Sequence, residues 1–355
     1  MGRKDNIQNI INEFVKNEDF SGAILIKEGE EIIYKEAHGY AHRGLKVKNK
    51  IDTKFDCASV TKLFTAVAIL QLVEKGVISL EDKVLDILEI ENSKLNKNIK
   101  IFHLLTHSSG MGDDADEEAG EDYSALFKDR PNYSIRELED TLPLFIHKEQ
   151  YFEPGEGTRY NNCAFILLGM VVEKLTGEKY RDYVTENVFK RAEMNNTGLF
   201  SMDGIVENAA EGYEDIQDEE ENIIGWKKNI YSYPPCGAPD GGAGALTTVE
   251  DMVKFYEALL NGELLGQEMT DAMVTPKILK VEYTKVKFKY GFVFEYMMDM
   301  KDEKVYSFSK DGCNFGVVAN TIYIPEYDTK IMILGNQYSN VWGLGEDIIC
   351  EYYDL

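Results

Sequence analysis

The 355-residue chain carries 63 Asp and Glu against 38 Lys and Arg, a formal net charge of −25, and 44% of it is hydrophobic. An apolar share in the globular range excludes global disorder. A charge of that sign repels phosphate backbones and anionic lipid, which argues against nucleic-acid or membrane-surface partners.

No stretch approaches the roughly 18 uninterrupted apolar residues of a bilayer span. Met1-Gly2-Arg3-Lys4-Asp5-Asn6 opens no apolar signal segment, so a cytoplasmic location is expected. The cysteines, at 57, 163, 236, 313 and 350, form no CxxC pair and read as reduced thiols.

Along the chain, Ile7, Ile10, Ile11, Phe14 and Val15 recur at helical spacing, with Asp5 as the expected N-cap. Apolar runs at 23–26 and 32–34 flank Glu28-Gly29-Glu30 and predict a β-hairpin. Val60, Leu63, Phe64, Val67 and Leu70 predict a helix over 59–75 that stops at Gly76. The stretch from about 95 to 245 reads as helices and loops without alternating strands. Its clearest helix is 164–175, closed by Gly177. Two acidic runs in it, 113–122 and 214–221, are expected as solvated loops. Thr247 and Thr248, with Glu250 and Asp251, cap a helix to Leu260. The last hundred residues return to strands at 290–295, 304–309, 317–324 and 331–334, then a final helix carrying Ile348, Ile349 and Tyr352. This order predicts an α+β fold in which strands from both chain ends share one antiparallel sheet. Residues 1–95 and 245–355 would form its α/β part and 96–244 an inserted all-helical part, making one unit.

Three short patterns can carry chemistry. In Ser59-Val60-Thr61-Lys62, residues i and i+3 at a helix start share a face, so an amine can take the proton that makes a serine nucleophilic. A buried lysine loses basicity and suits that task. The helix N-terminus offers N–H groups to a developing oxyanion. Ser307-Phe308-Ser309-Lys310 spells the same motif in a predicted strand, where the geometry fails, and Ser59 also reads simply as the cap of a core helix. Tyr160-Asn161-Asn162 follows the turn Pro154-Gly155-Glu156-Gly157: a tyrosine can shuttle a proton and an asparagine amide can bind a carbonyl, or Tyr160 is an interface aromatic. Lys310-Asp311-Gly312, on a late strand, can offer an ammonium and backbone N–H groups. A metal reading of His103 and His107, spaced i and i+4, lacks the expected glutamate, since Leu104 stands there; His107 reads as structural. No cofactor and no metal are expected.

Taken in order, these patterns resemble the serine penicillin-recognising enzymes: class C β-lactamases, D-alanyl-D-alanine carboxypeptidases and related esterases and D-aminopeptidases. Asp52-Thr53-Lys54-Phe55 ahead of Ser59, Leu104-Leu105-Thr106-His107-Ser108-Ser109-Gly110-Met111, Pro154-Gly155, Leu167-Leu168-Gly169 with Leu175-Thr176-Gly177, and Ala243-Gly244-Ala245-Leu246 extend the likeness over residues 20–335. The resemblance implies a β-lactamase/transpeptidase-like fold and a Ser59 acyl-enzyme. It implies Lys62 as the activating partner, Tyr160 as proton shuttle and leaving-group acid, and Asn162 on the substrate amide. Lys310 and Gly312 would line the substrate, and the backbone N–H groups of Ser59 and Cys313 would form the oxyanion hole. The substrate would be a small ester, amide or D-amino-acid peptide; the alternative is a penicillin-binding-like sensor that does not turn over. Asp311 departs from the family pattern, where a small or hydroxyl residue is usual, and an acid beside Lys310 works against a substrate carboxylate. Cys57, Cys163 and Cys313 each lie within two residues of a motif, which suggests either small-residue packing or a thiol-sensitive site. Acidic loops at the cleft rim would favour neutral or cationic substrates. The oligomeric state is open at this level.

Overall fold

Local signals set most element boundaries in the computed structural model, which describes residues 2–116, 119–121, 123–128, 130–201, 203–220, 222–229 and 240–353. Helix α1 (Arg3–Asn17) is capped by Gly2 and not by Asp5. Asp5 instead sits in the first turn, its carboxylate accepting the Gly2 N–H at 3.1 Å. Strands β1 (Gly22–Glu28) and β2 (Glu31–His38) form the expected hairpin. Short strands β3 (Tyr40–His42), β4 (Val47–Lys48) and β5 (Phe55–Asp56) lead to a 3₁₀ turn, Ala58–Thr61. That turn feeds α2 (Lys62–Glu74), which is buried on every side from Lys62 to Leu72.

The middle of the chain holds α3 (Val84–Leu88), α4 (Ile101–Leu105), α5 (Leu142–Phe145), α6 (Cys163–Thr176) and α7 (Tyr180–Val184). Helix α6 ends on Gly177 at φ +74°, a left-handed position that glycine adopts without strain. This middle is not all-helical. Strands β6 (Tyr213–Gln217) and β7 (Ile223–Lys228) pair as a hairpin. Most of the second acidic run is therefore strand and turn: Glu214 to Gln217 carry no apolar–polar alternation, and the strand is set by its pairing with β7.

Beyond it come β8 (Leu246–Thr247), paired with β5, and α8 (Val249–Leu260), whose cap Thr248 accepts the Asp251 N–H at 3.1 Å. Then follow α9 (Gln267–Met273), β9 (Ile278–Glu282), β10 (Val286–Tyr290), β11 (Glu295–Asp299), β12 (Val305–Asn314), β13 (Val317–Ile324), β14 (Thr329–Gly335) and α10 (Val341–Tyr353). The strand expected at 290–295 is the turn between β10 and β11. Its apolar residues Phe292, Val293 and Phe294 are buried as a plug, and the Val293 N–H reaches Leu105 O at 3.0 Å.

One antiparallel eight-stranded sheet runs in the order β2-β1-β14-β13-β12-β11-β10-β9. Strand alternation sends Ala23 and Leu25 of β1 towards the helical side, with Phe64, Val67 and Phe255. Ile24 and Ile26 face the other side, against Ile7 and Ile11 of α1 and Ile348 of α10. Burial on both faces explains the unbroken apolar runs, and each fully buried aliphatic side chain there contributes roughly 1.5–3 kcal/mol. Strand β11 stops pairing with β12 at Ser309, yet β12 runs on to Asn314 with β13 alone beside it. That free edge lies against the Ala58–Thr61 turn: a Cβ on Gly312 would fall 2.3 Å from Cys57 O and 2.9 Å from Ser59 N. Only glycine permits the approach. No helix among the described residues is long and apolar enough to cross a membrane.

Candidate active site

Ser59 is placed by a strained turn. Ala58 before it has φ +42°, unusual for a residue with a Cβ, and its N–H is held by Asp56 Oδ1 at 2.7 Å. Desolvation pushes the Asp56 carboxyl up to about 7, with the Ala58 N–H pulling the other way. The turn presents Ser59 half-buried at the start of α2. Its Oγ accepts from Lys62 Nζ at 2.9 Å and from Tyr160 OH at 2.7 Å.

Lys62 is fully buried, and its Nζ also donates to Asn162 Oδ1 at 2.7 Å and Gly242 O at 2.8 Å. Both of those atoms can only accept. In the neutral amine they take the two N–H bonds and leave the lone pair facing Ser59 Oγ; after protonation all three N–H groups are used. Gly242 is aimed by Asp240, whose Oδ1 accepts the Gly242 and Ala243 N–H groups at 2.6 and 3.0 Å. Asn162 is aimed by Asp113: its two carboxylate oxygens accept the Asn162 N–H at 2.9 Å and the Cys163 N–H at 3.0 Å, which caps α6.

The first acidic run is therefore only partly solvated. Asp113, Asp114 and Asp116 are buried; residues 117, 118 and 122 lie outside the described residues. Asp116 accepts Arg159 at 2.6 and 2.7 Å and Tyr151 OH at 2.5 Å. Burial would raise its carboxyl, but these donors together hold it below the usual carboxylate range. Composition hid this, because the partners of these carboxylates are backbone amides and an arginine more than 40 residues away.

Tyr160 stands between two lysines, with Lys62 Nζ and Lys310 Nζ each 5.0 Å from its ring centroid. Lys310 is buried, and its Nζ donates to Asp311 Oδ1 at 3.2 Å. Asp311 Oδ2 accepts the Trp342 indole N–H from α10 at 2.8 Å. Desolvation works to raise the Asp311 carboxyl, but Lys310 and Trp342 outweigh it and hold it below the usual range.

Two cavities meet at Ser59 and Cys313. One, of about 420 Å³, is lined by Asn162, Glu121, Glu214, Phe315 and Tyr338 among others. The other, of about 430 Å³, is lined by Tyr160, Lys310, Asp311, Gly312, Lys280 and Glu295. All seven residues singled out in the sequence thus border one cleft or its floor. Both acidic runs reach its rim, through Glu121 and Glu214. The three motif-adjacent thiols differ: Cys57 and Cys163 are buried and desolvation pushes both up, whereas Cys313 is exposed at the junction of the cavities. Cys236 lies outside the described residues. His103 and His107 both turn Nδ1 to backbone N–H groups, of Lys100 and Asn161, and do not converge as ligands. Asp113, Asp114 and Cys163 do bring donor atoms within 4.8 Å, but Asp113 is occupied as the α6 cap.

A model of the Beta-lactamase family matches residues 7–347. Penicillin-binding protein 4* of Bacillus subtilis (strain 168) is 26% identical over 309 residues, covering 82% of this chain and 64% of that protein. The chain therefore spans less than two thirds of that curated relative's length. A crystal structure of a penicillin binding protein from Bacillus halodurans superposes with a TM-score of 0.86 at 35% identity, over 96% of this chain and 98% of that one. A D-stereospecific amidohydrolase from Streptomyces shares the fold, with a TM-score of 0.77 at 21% identity over 98% of both chains.

Proposed function

The chain belongs to the Beta-lactamase family, and from that premise we propose that it hydrolyses a small ester, amide or D-amino-acid peptide through an acyl-enzyme on Ser59. The observation that carries this reading is Ser59 Oγ held between Lys62 Nζ at 2.9 Å and Tyr160 OH at 2.7 Å where two cavities meet.

Lys62 takes the Ser59 proton as Oγ attacks the carbonyl carbon, and the ammonium so formed keeps Asn162 Oδ1 and Gly242 O as acceptors. The backbone N–H groups of Ser59 and Cys313 receive the oxyanion. Tyr160 passes a proton to the leaving group, and charge developing on its oxygen lies between Lys62 and Lys310. Water then releases the acyl group with Tyr160 or Lys62 as base. Asn162 serves mainly to orient Lys62, because its amide oxygen is engaged there. Lys310 and Gly312 flank the bound acyl group, with Lys310 partly balanced by Asp311.

Glu121 and Glu214 on the rim favour neutral or cationic substrates over carboxylate-bearing ones. Wild type and Ser59→Ala are incubated with a fluorescent penicillin, a chromogenic cephalosporin and a nitrophenyl ester. Ester or amide turnover lost in Ser59→Ala is the expected result. Stable penicillin labelling without turnover would assign a binding protein, and equal behaviour of the two proteins would sink the mechanism.

A further inference from the structure

His107 lies outside both cavities and fully buried, yet it grips three consecutive residues at the heart of the site. Its carbonyl accepts the Arg159 N–H at 2.9 Å. Its Nδ1 accepts the Asn161 N–H at 3.2 Å. Its ring lies on that of Tyr160, centroids 4.5 Å apart and planes 34° apart. The backbone at His107 has φ +52°, a left-handed conformation that swings the imidazole back over the 159–161 segment. We propose that His107 is a positioning residue, a neutral imidazole whose Nδ1 fixes the Tyr160 loop so that the phenol meets Ser59 Oγ; this rests on the role given to Tyr160 above.

The chemistry of the ring supports it. An Nδ1 that accepts from a backbone amide leaves the proton on Nε2, and Nε2 is buried without a hydrogen-bond partner among the described residues. A phenylalanine would fill the same space and stack on Tyr160 without burying an unsatisfied N–H. Besides a readier left-handed backbone than phenylalanine's, what distinguishes histidine here is the Nδ1 acceptor, and the Tyr160→Phe background separates the two. A second proton would turn Nδ1 into a donor facing the Asn161 N–H. It would also add a positive charge beside Lys310, Lys62 and Lys280, and burial first, then those lysines whenever they are charged, keep the ring neutral. The other neighbours, the rings of Phe165 and Tyr290 at 5.3 and 5.4 Å, bring no acid to offset such a charge.

The test is a double-mutant cycle on ester turnover. His107→Phe keeps the stacked ring and removes the acceptor. His107→Asn restores an acceptor near the Nδ1 position and tolerates positive φ. In the otherwise wild-type enzyme, kcat is expected to fall about tenfold or more for His107→Phe and less for His107→Asn, with KM little changed. In a Tyr160→Phe background neither substitution should cost more than about twofold, because the group they position is gone. A merely structural histidine would lower kcat equally in both backgrounds, and that result, or an undiminished His107→Phe, overturns the inference alone. If His107→Phe does not fold, His107→Leu, which also lacks the acceptor, carries the same cycle and is decided by the same two outcomes. A Tyr160→Phe enzyme of undiminished kcat overturns the role of Tyr160 and this inference with it.

Discussion

The floor and the rim of the cleft draw on the same acidic composition and use it in opposite ways. On the floor, Asp113 is buried, caps α6 through two backbone N–H groups and thereby aims Asn162 at Lys62. On the rim, Glu121 of the same run, eight residues on, is exposed, with Lys148 at 3.8 Å, and Glu214 pairs with Lys227 at 2.8 Å. A carboxylate bound by fixed amides in a desolvated site sets geometry, whereas one on the surface acts mainly through a screened field, even where, as in Glu121, it also accepts a single backbone N–H (Asp116, 3.0 Å). The net charge of −25 is thus two quantities, a structural one and an electrostatic one.

Substitutions separate the two. Asp113→Ala leaves two buried amides without acceptors, a loss of roughly 2–4 kcal/mol in stability. It also lets Asn162 and Lys62 drift, and about 100-fold in kcat is the scale of a ~1 Å misplacement. Thermal melting and ester turnover check both, and an Asp113→Ala enzyme of normal kcat would erase the distinction from the rim.

Asp56 sharpens it, as a carboxyl of the desolvated turn before Ser59 held by one amide and, among the described residues, by no cation. Its folded pKa is raised to about 7, while an unfolded aspartate titrates near ~4. The native state then binds the extra proton between those values, so this group withdraws stability as pH rises from ~4 to about 7. Asp56→Asn, which keeps an acceptor for Ala58, should stabilise the fold at pH 8 by roughly 1–2 kcal/mol after allowance for partial exposure. The melting temperature reads this out: raised at pH 8 and little changed at ~pH 4, the unfolded value. A gain at the lower pH as well would mean that charge is not the cause.

The smallest effect belongs to the rim. Glu121→Gln with Glu214→Gln should reduce the preference for a cationic over an anionic ester by about threefold at low salt and by nothing at high salt, with melting unchanged. A salt-insensitive change would assign these residues direct contacts.

Much of the fold is legible because its signals are local. Phe64 and Val67 mark α2, Gly177 stops α6, and Thr248 with Asp251 caps α8. The three motifs point to Ser59, Lys62, Tyr160 and Lys310 because their spacing and order are themselves the pattern. What escapes is long-range. Asp113 looks solvated until the N-terminus of α6, 50 residues on, supplies its partners. His107 looks like one helix-end polar residue until the 159–161 loop folds across it. The β6–β7 hairpin is hidden by its charges, and 290–295 reads as a strand because a buried turn can be equally apolar.

The pairing of β1 with β14 has a kinetic side. Gly22 finds Gly335 and Ile24 finds Ile333, so a strand apolar on both faces waits for a partner some 300 residues later. At a synthesis rate of about 5–20 residues per second, that wait lasts roughly 15–60 s. Throughout it, the hairpin of β1 and β2 carries an open, hydrophobic edge, the form most prone to pair with a neighbouring chain. Closure of the sheet centre is therefore a late event in folding, and the segment most in need of shielding during synthesis is made some 300 residues before its partner.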